Sequence, residues 1–359
     1  VNKISRIYSN ILEFIDQEDN IEENYQNITQ QIADQNIGED INFLKLVLRI
    51  LISITNNHKR SPHLISKIEQ ILNHLKNNIK ANLTNYEIYQ MFSKNKRLLL
   101  YLIKEGIFSM TQEISNELIF KDLKKYSYNY FYFSGELKPF IDESIKNNSI
   151  GCQKECDEMK VVLSTIEETV NYEENRQNGE NEHLICELIR NDKIDDFISH
   201  VSQNNILLTS KIPISRYETN PFLFENNPTL IQYAAFYGSI QVFKYLFLNM
   251  KEDEIKSNLW IWAIHGGNME IIHLMEEKKM LPLQEIKIKD VYVYGKPDDV
   301  TYIECVQESI KCHHNDIRNY LFKNYPYLSD EGSSLSPYLK YYNFSFDHYN
   351  DVIYYLYEL

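Results

Sequence analysis

The residue types best suited to chemistry stand close together near the carboxyl end of the chain: Cys305, Cys312, His313 and His314. Thiolates and imidazoles are the ligands that zinc prefers in proteins, so this group could hold a metal ion. However, the side chains of neighbouring residues at the end of a helix point in different directions. His313 also lies at a predicted turn between two helices. We therefore interpret His313 as a turn residue and expect no metal at this cluster.

The remaining candidates for chemistry are few. Cys152 and Cys156 could share a helix face, but they have no second pair of ligands beside them. The chain has no phosphate loop, no dinucleotide fingerprint, no zincin helix and no nucleophile elbow, and its carboxylates are scattered in the manner of a solvated surface. The sequence thus predicts no catalytic residues, no metal and no cofactor.

Charge and composition restrict the partners. The aromatic run from Tyr126 to Phe133 could stack on bases, but a net charge of -14 and the lack of a basic stripe oppose nucleic acid and anionic membranes. We interpret the run as an aromatic wedge between helices. The longest apolar run, Leu44 to Ile54, is shorter than the ~18 residues of a membrane span. An odd number of cysteines in a long chain favours free thiols, so we expect an intracellular, cytoplasmic protein.

The elements that must position these residues are predicted to be helices. Apolar residues at i, i+3 and i+4 spacing predict an N-terminal helical region over residues 1–82, either a small bundle or stacked hairpins. Residues 83–170 predict helical hairpins that could be degenerate repeats, starting at a capping box from Thr84 to Glu87. The polar, acidic stretch 171–182 is the expected linker.

One sequence motif occurs twice, at Thr229–Leu246 and Asn258–Met275. Each copy predicts a helix, a turn at a glycine and a second helix. Gly238 and Gly267 allow a left-handed backbone at the turn, while Ala234 and Ala263 allow a neighbouring helix to approach closely. Looser copies place Asp192 and His313 at the glycine position, so the turns at 192, 238, 267 and 313 are 46, 29 and 46 residues apart.

This sequence motif resembles the ankyrin repeat. Thr229, the pair Ala234–Ala235 and the run Gly267–Ile272 match its signature, whereas Leu230 and Gln232 replace the usual proline and histidine. An ideal unit has about 33 residues, so the wide spacings indicate insertions. The phrases Ile185–Asp192, Tyr217–Phe222 and Glu308–Asp316 are similar to an uncharacterised, divergent ankyrin-type family that is expanded in single-celled eukaryotes. No activity is attached to that family, so the resemblance implies a scaffold.

The predicted fold is therefore all-α: the N-terminal helices lead into a divergent ankyrin-repeat solenoid at 183–328, followed by an incomplete repeat at 329–359. A short β-hairpin is expected in the second insertion, with Val291–Tyr294 and Val300–Ile303 flanking Gly295–Asp299. In the ankyrin repeat, the two positions before the turn glycine face the binding groove. The resemblance thus nominates eight partner-binding residues: Arg190, Asn191, Phe236, Tyr237, His265, Gly266, Lys311 and Cys312.

Several alternatives stay open. Phe236 and Tyr237 could instead pack against the adjacent inserted loop. An enzyme with an unrecognised site would be marked by a pocket that combines a buried carboxylate and a histidine. A third alternative is a self-assembling structural protein. The dense apolar and aromatic surface of Tyr338–Leu359 is unlike a terminal cap, so we expect that further repeats follow or that the chain self-associates through this segment.

Overall fold

The structure is a computed structural model, and it describes residues 2–17, 21–34, 40–61, 63–125, 129–146, 171–255, 258–282, 286–288, 291–293, 300–325 and 336–345. The predicted all-α class is confirmed. The chain divides into two compact units. Unit 1 contains Val1–Ile68, His183–Pro213 and Asn226–Leu359, and unit 2 contains Glu69–Glu182 and Ile214–Glu225. These units do not follow the predicted linear boundaries, because unit 1 is assembled from three separate stretches of chain.

The described helices are, in chain order, α1 Asn2–Asp16, α2 Ile21–Asp34, α3 Ile41–Asn57, α4 Leu64–His74, α5 Lys76–Asn82, α6 Asn85–Phe92, α7 Lys96–Lys104, α8 Gln112–Lys125, α9 Asn129–Tyr132, α10 Ser134–Lys146, α11 Tyr172–Asn178, α12 Leu184–Arg190, α13 Ile194–Gln203, α14 Pro221–Asn226, α15 Leu230–Tyr237, α16 Ile240–Asn249, α17 Leu259–His265, α18 Met269–Glu277, α19 Tyr302–Lys311, α20 Asn315–Asn324 and α21 Ser336–Lys340. A short 3-10 helix, Glu252–Glu254, precedes α17. Strands β1 (Ile286–Ile288) and β2 (Val291–Val293) pair antiparallel.

Local sequence signals start several of these helices, and the one at Thr84 was predicted. The side chain of Asp40 accepts hydrogen bonds from the N–H groups of Asn42 and Phe43 and so caps α3. The capping box of Thr84 and Glu87 forms at α6. The apolar stripes of the first helices then supply buried residues to unit 1: Ile7, Ile11, Phe14 and Ile15 from α1, and Leu44, Leu48, Leu51 and Ile54 from α3.

Four turns in unit 1 share one backbone geometry. Asp192, Gly238, Gly267 and His313 have φ angles of 49°, 67°, 67° and 61°, so all of them are left-handed. At each turn, the N–H of the next residue bonds the carbonyl five residues earlier, as in Ser239 to Ala234 at 2.9 Å. This hydrogen-bonding pattern ends a helix and provides donors for carbonyl groups of its last turn. The predicted turn positions are confirmed, including the two that lack glycine.

The helices on either side of these turns pack in two rows. The helices that precede the turns contact one another in the order α12, α15, α17 and α19. The helices that follow the first three turns contact one another in the order α13, α16 and α18, and α20 packs on α19. Ala234 and Ala263 are both fully buried at the centre of the first row. A small side chain at these positions allows the close approach that the sequence predicted.

Neighbouring turns are also bonded to one another. The carboxylate of Asp192 accepts hydrogen bonds from the N–H groups of Gln241 and Val242, which begin α16. Asn268 Nδ2 donates to the carbonyl of Gly238 at 3.2 Å, and a Cβ on Gly238 would approach that side chain to 3.0 Å. The turns therefore fix the register between adjacent helix pairs.

The insertions differ from the prediction in detail. A β-hairpin does lie in the second insertion, but its strands are Ile286–Ile288 and Val291–Val293. The predicted second strand, Val300–Ile303, instead contains the start of α19, because Thr301 caps that helix and forms a capping box with Glu304. In the first insertion, Lys211 bridges to Thr229 in antiparallel fashion.

Two further predictions need correction. The expected linker at 171–182 contains helix α11, and Arg176 there is buried and paired with Glu136 at 2.7 Å within unit 2. Near the carboxyl end, Tyr338 and Phe344 are buried in unit 1, so this part of the predicted self-association segment is not a free apolar face. The rest of it, residues 346–359, lies outside the described residues, as do Cys152 and Cys156.

The aromatic run is described only in part, from Asn129 onward. Phe131, Tyr132 and Phe133 are buried in unit 2, and the hydroxyl of Tyr132 donates to the carbonyl of Arg176 at 2.7 Å. These three rings are packing residues, as the wedge interpretation predicted.

Replacing Ala263 with Leu should destabilise the protein by about 1–3 kcal/mol, because the larger side chain overpacks the contact between α15, α17 and α19. Urea unfolding of purified Ala263→Leu measures the change in the free energy of unfolding. Glu277→Leu, at an exposed position of α18, introduces the same side chain and should stay within about 0.5 kcal/mol of the parent. Equal unfolding midpoints for both variants would contradict the tight packing at Ala263.

Candidate functional site

The structure places the nominated residues in two environments. Phe236, His265 and Cys312 are almost fully buried. The ring of Phe236 stacks on the imidazole of His265 with 4.9 Å between centroids, so it packs against the next helix of the row. Burial removes these three residues from a surface contact with a partner, which corrects the prediction.

Gly266 is also a packing position. A Cβ there would clash with the carbonyl oxygen of Ala235 and lie 2.7 Å from that of Phe236. The absent side chain lets α17 approach the end of α15 closely.

The other nominated residues reach the surface at least in part. Arg190 donates from Nη1 to the hydroxyl of Tyr233 at 2.9 Å, and its guanidinium lies 6.0 Å from the ring centroid of Tyr237. Asn191 is exposed at the end of α12, and Lys311 is half-buried at the end of α19. Arg190 and Tyr237 thus form a fixed pair on two adjacent first-row helices.

A compact polar cluster joins α17 to α19. His265 Nδ1 donates to Glu308 Oε1 at 2.9 Å, and Lys311 Nζ donates to the same oxygen at 2.9 Å. The thiol of Cys312 lies 3.5 Å from that oxygen. Glu308 and Cys312 are four residues apart and share one side of the helix end.

Burial and charge set the protonation states of this cluster. Burial alone would raise the pKa of Glu308, but the hydrogen bond from His265 and the charge of Lys311 outweigh it and lower the pKa to about 2. Burial lowers the pKa of His265, which the hydrogen bond to Glu308 opposes only in part. Burial also raises the pKa of the Cys312 thiol well above its usual value. At neutral pH the cluster therefore holds a carboxylate, an ammonium group, a neutral imidazole and a thiol.

A second histidine network lies around His58 in the same unit. His58 Nδ1 faces the carbonyl oxygen of Cys312 at 2.8 Å, and Nε2 faces a carboxylate oxygen of Asp16 at 2.9 Å. A carbonyl and a carboxylate both accept hydrogen bonds, so the ring of His58 lies between two acceptors. Its ring packs against that of His314 with 4.8 Å between centroids. His314 Nε2 donates to the carbonyl of His265 at 3.2 Å and so connects the two networks.

His313 combines the turn geometry with a directed chain of hydrogen bonds. Ser53 Oγ donates to the carbonyl of Tyr341 at 2.6 Å, so it accepts from His313 Nε2 at 3.2 Å. His313 Nδ1 then accepts from the hydroxyl of Tyr8 at 3.0 Å. This arrangement requires a neutral ring, and burial accordingly lowers the pKa of His313 well below its usual value. The turn interpretation of His313 is confirmed, and the ring also connects α1 and α3 to the turn between α19 and α20.

A cavity of about 380 Å³ borders the Glu308 cluster. Its walls come from α17, α19 and α21 and from the residues that flank them: Ile261, Val300, Glu304, Gln307, Glu308, Lys311, Pro337, Lys340 and Tyr341. Of the nominated residues, Lys311 lines this cavity. The exposed side chains of Glu304, Gln307 and Lys340 surround it.

Sequence reasoning missed His265 and Glu308 as partners. The two residues are 43 positions apart and separated by the second insertion. The alignment of the repeated motif was the sequence signal for this pair. It places His265 two residues before one turn and Glu308 five residues before another. Cys305, which was grouped with Cys312 in the sequence, is fully buried on α19. Within the described residues, the groups that converge with metal-ligand spacing are His265, Glu308 and Cys312.

No protein-family model, curated protein or solved structure matches the chain. Among the residues described, no helix has the length and apolar character needed to cross a bilayer.

The buried neutral histidines should make the protein acid-sensitive. The pKa values of His265, His313 and His314 are lowered by burial, whereas histidine in an unfolded chain has a pKa of about 6.5. The unfolded chain therefore binds more protons as the pH falls below about 6.5, and the free energy of unfolding falls with it; above that pH this contribution is fully present.

Urea unfolding at pH 7.5 and pH 5.5 (about one pH unit on either side of the unfolded histidine pKa) measures this loss. His313→Asn should show a smaller loss between these pH values, since asparagine tolerates the left-handed turn and does not titrate there. His63→Asn, at an exposed position, serves as the control and should behave like the parent. A parent whose stability rises on acidification would contradict the neutral assignment.

Proposed function

We propose that this protein is a non-catalytic scaffold built on divergent ankyrin-type repeats, and that it binds a protein partner through the surface of its first-row helices. Support comes from the recurrence of one left-handed turn at 192, 238, 267 and 313, with the helices before each turn packed in a single row. Repeated helix pairs of this kind expose an extended surface while each pair contacts its neighbours.

The proposed binding surface differs from the set nominated by sequence. It comprises the exposed or half-buried side chains of the first row, with Arg190, Asn191 and Tyr237 on α12 and α15. The cavity beside α19 forms its other part, where Gln307 and Lys340 are exposed. Arg and Tyr are enriched among the residues that dominate protein–protein binding energies, and a concave cavity suits an inserted side chain.

An enzyme is the second candidate, because a carboxylate hydrogen-bonded to a buried histidine borders a cavity. The protonation state of Glu308 weighs against acid–base catalysis. The hydrogen bond from His265 and the charge of Lys311 lower the pKa of Glu308, so its carboxyl stays ionised at neutral pH and is a poor proton donor. Its charge is already neutralised by Lys311 and by the hydrogen bond from His265, so it is also a weak base. The scaffold is therefore the better supported function.

Site-directed crosslinking tests the proposal. A photo-reactive residue at Gln307 should capture a protein from extracts of the cells that make this chain, and the same residue at Glu277 on α18 should not. Gln307→Arg combined with Lys340→Glu should weaken binding of the captured protein at least about tenfold, which is about 1.4 kcal/mol. Glu277→Arg combined with Lys278→Glu introduces the same two side chains on α18 and should leave binding unchanged.

Three outcomes would count against this function. A captured protein that binds both double variants equally well does not use the first-row surface. Capture of a second copy of the chain at Gln307 would favour self-assembly. Turnover of a small molecule that is lost in Gln307→Arg would favour the enzyme.

A further inference from the structure

Three potential metal ligands converge between two first-row helices. His265 comes from the end of α17, whereas Glu308 and Cys312 come from the last turn of α19. Their ligand atoms all lie within 4.8 Å of one another. We propose that His265, Glu308 and Cys312 form a binding site for a zinc ion, with a water molecule from the adjacent cavity as the fourth ligand.

The distances in the cluster are close to those of a tetrahedral zinc site. Bonds of about 2.0 Å to nitrogen and oxygen and about 2.3 Å to sulfur place an oxygen and a sulfur ligand about 3.5 Å apart. The Cys312 Sγ to Glu308 Oε1 distance is 3.5 Å, and the His265 Nδ1 to Glu308 Oε1 distance is 2.9 Å. The carboxylate thus already lies near both other ligands, and side-chain movements that draw the three ligand atoms together, from separations of up to 4.8 Å, would surround an ion.

The charges of the cluster also suit a divalent cation. A zinc ion bound by the Glu308 carboxylate and the Cys312 thiolate forms a neutral group, with His265 as an uncharged third ligand. The thiol proton leaves to solvent, and the remaining imidazole proton moves from Nδ1 to Nε2 so that Nδ1 can bind the metal. The ion then takes over the role of Lys311, which at present neutralises Glu308 through bonds of 2.9 and 3.2 Å.

The cavity gives the site access to solvent. Glu308 and Lys311 line its wall, whereas His265 and Cys312 are fully buried behind them. An ion can therefore reach Glu308 from the cavity while the nitrogen and sulfur ligands are held in the packed layer between α17 and α19. Preformed ligands with solvent on one side are typical of zinc sites that keep an open position.

Zinc bound here would join two neighbouring helix pairs and so stabilise the folded chain. Equilibrium dialysis of the purified full-length protein against Zn²⁺ should give one ion per chain, and thermal unfolding should shift to higher temperature as zinc is added. Co²⁺ reports the ligands directly, because cobalt bound to a thiolate shows a charge-transfer absorption and intense visible bands in a tetrahedral field. We expect both signals with Co²⁺, and their loss when excess zinc is added.

Matched cysteine variants locate the ion. Cys312→Ser should abolish the charge-transfer absorption, whereas Cys305→Ser should keep it, although both cysteines are buried on or next to α19. Glu308→Gln should weaken zinc binding at least about 100-fold, since even residues that only support zinc ligands contribute about 10–100-fold. A variant that keeps only Cys312, with the other cysteines of the chain replaced by serine, tests the assignment without altering the site.

The results that would overturn the proposal are specific. A parent protein that takes up no zinc, or a cobalt complex without a thiolate band, excludes the site. Unchanged absorption in Cys312→Ser, or its absence in the variant that keeps only Cys312, assigns any bound metal elsewhere. If Cys312→Ser does not fold, the variant that keeps only Cys312 and the parent spectrum still decide between these outcomes.

Discussion

The left-handed turn is the constraint on which unit 1 depends. At each of the four turns the chain passes from one helix to the next through a residue with positive φ, and Gly238 and Gly267 adopt this conformation without a steric cost. Asp192 and His313 adopt the same conformation with a side chain, and each uses that side chain to bond another part of the unit. Asp192 caps α16, and His313 connects the repeats to Tyr8 and Ser53. The two turn positions that have a residue other than glycine are thus the ones that make additional contacts.

The buried histidines follow from this arrangement. The chain places His313 and His314 at a turn that lies inside the unit, where their rings are excluded from water. Burying a polar ring costs free energy unless its nitrogens are bonded, and the partners come from distant stretches: Ser53 for His313 and the carbonyl of His265 for His314. The bonds of His313 to Tyr8 and Ser53 therefore hold α1 and α3 against the turn between α19 and α20. The cohesion of unit 1 and its expected acid sensitivity therefore have one physical origin.

The sequence was most informative where the signal is local. Glycine, or the residue that replaces it, predicted each turn. Ala234 and Ala263 predicted close helix contacts, and the capping box at Thr84 predicted a helix start. Burial was harder to predict. Phe236 and His265 occupy repeat positions that were expected to face a groove, but they stack on each other within the layer. Contacts across an insertion, such as His265 with Glu308, depend on how two helix pairs meet, and spacing along the chain does not encode that.

The Glu308 cluster links packing to ligand binding. A buried ion pair contributes little net stability compared with apolar packing, because desolvation of both charges offsets their attraction. Glu308 and Lys311 therefore add little to the contact between α17 and α19, although removing either partner alone would leave a costly buried charge. A cation or a partner's charged group that enters the cavity can replace Lys311 as the counter-charge of Glu308. Binding at this point would therefore act directly on the contact between two adjacent repeats.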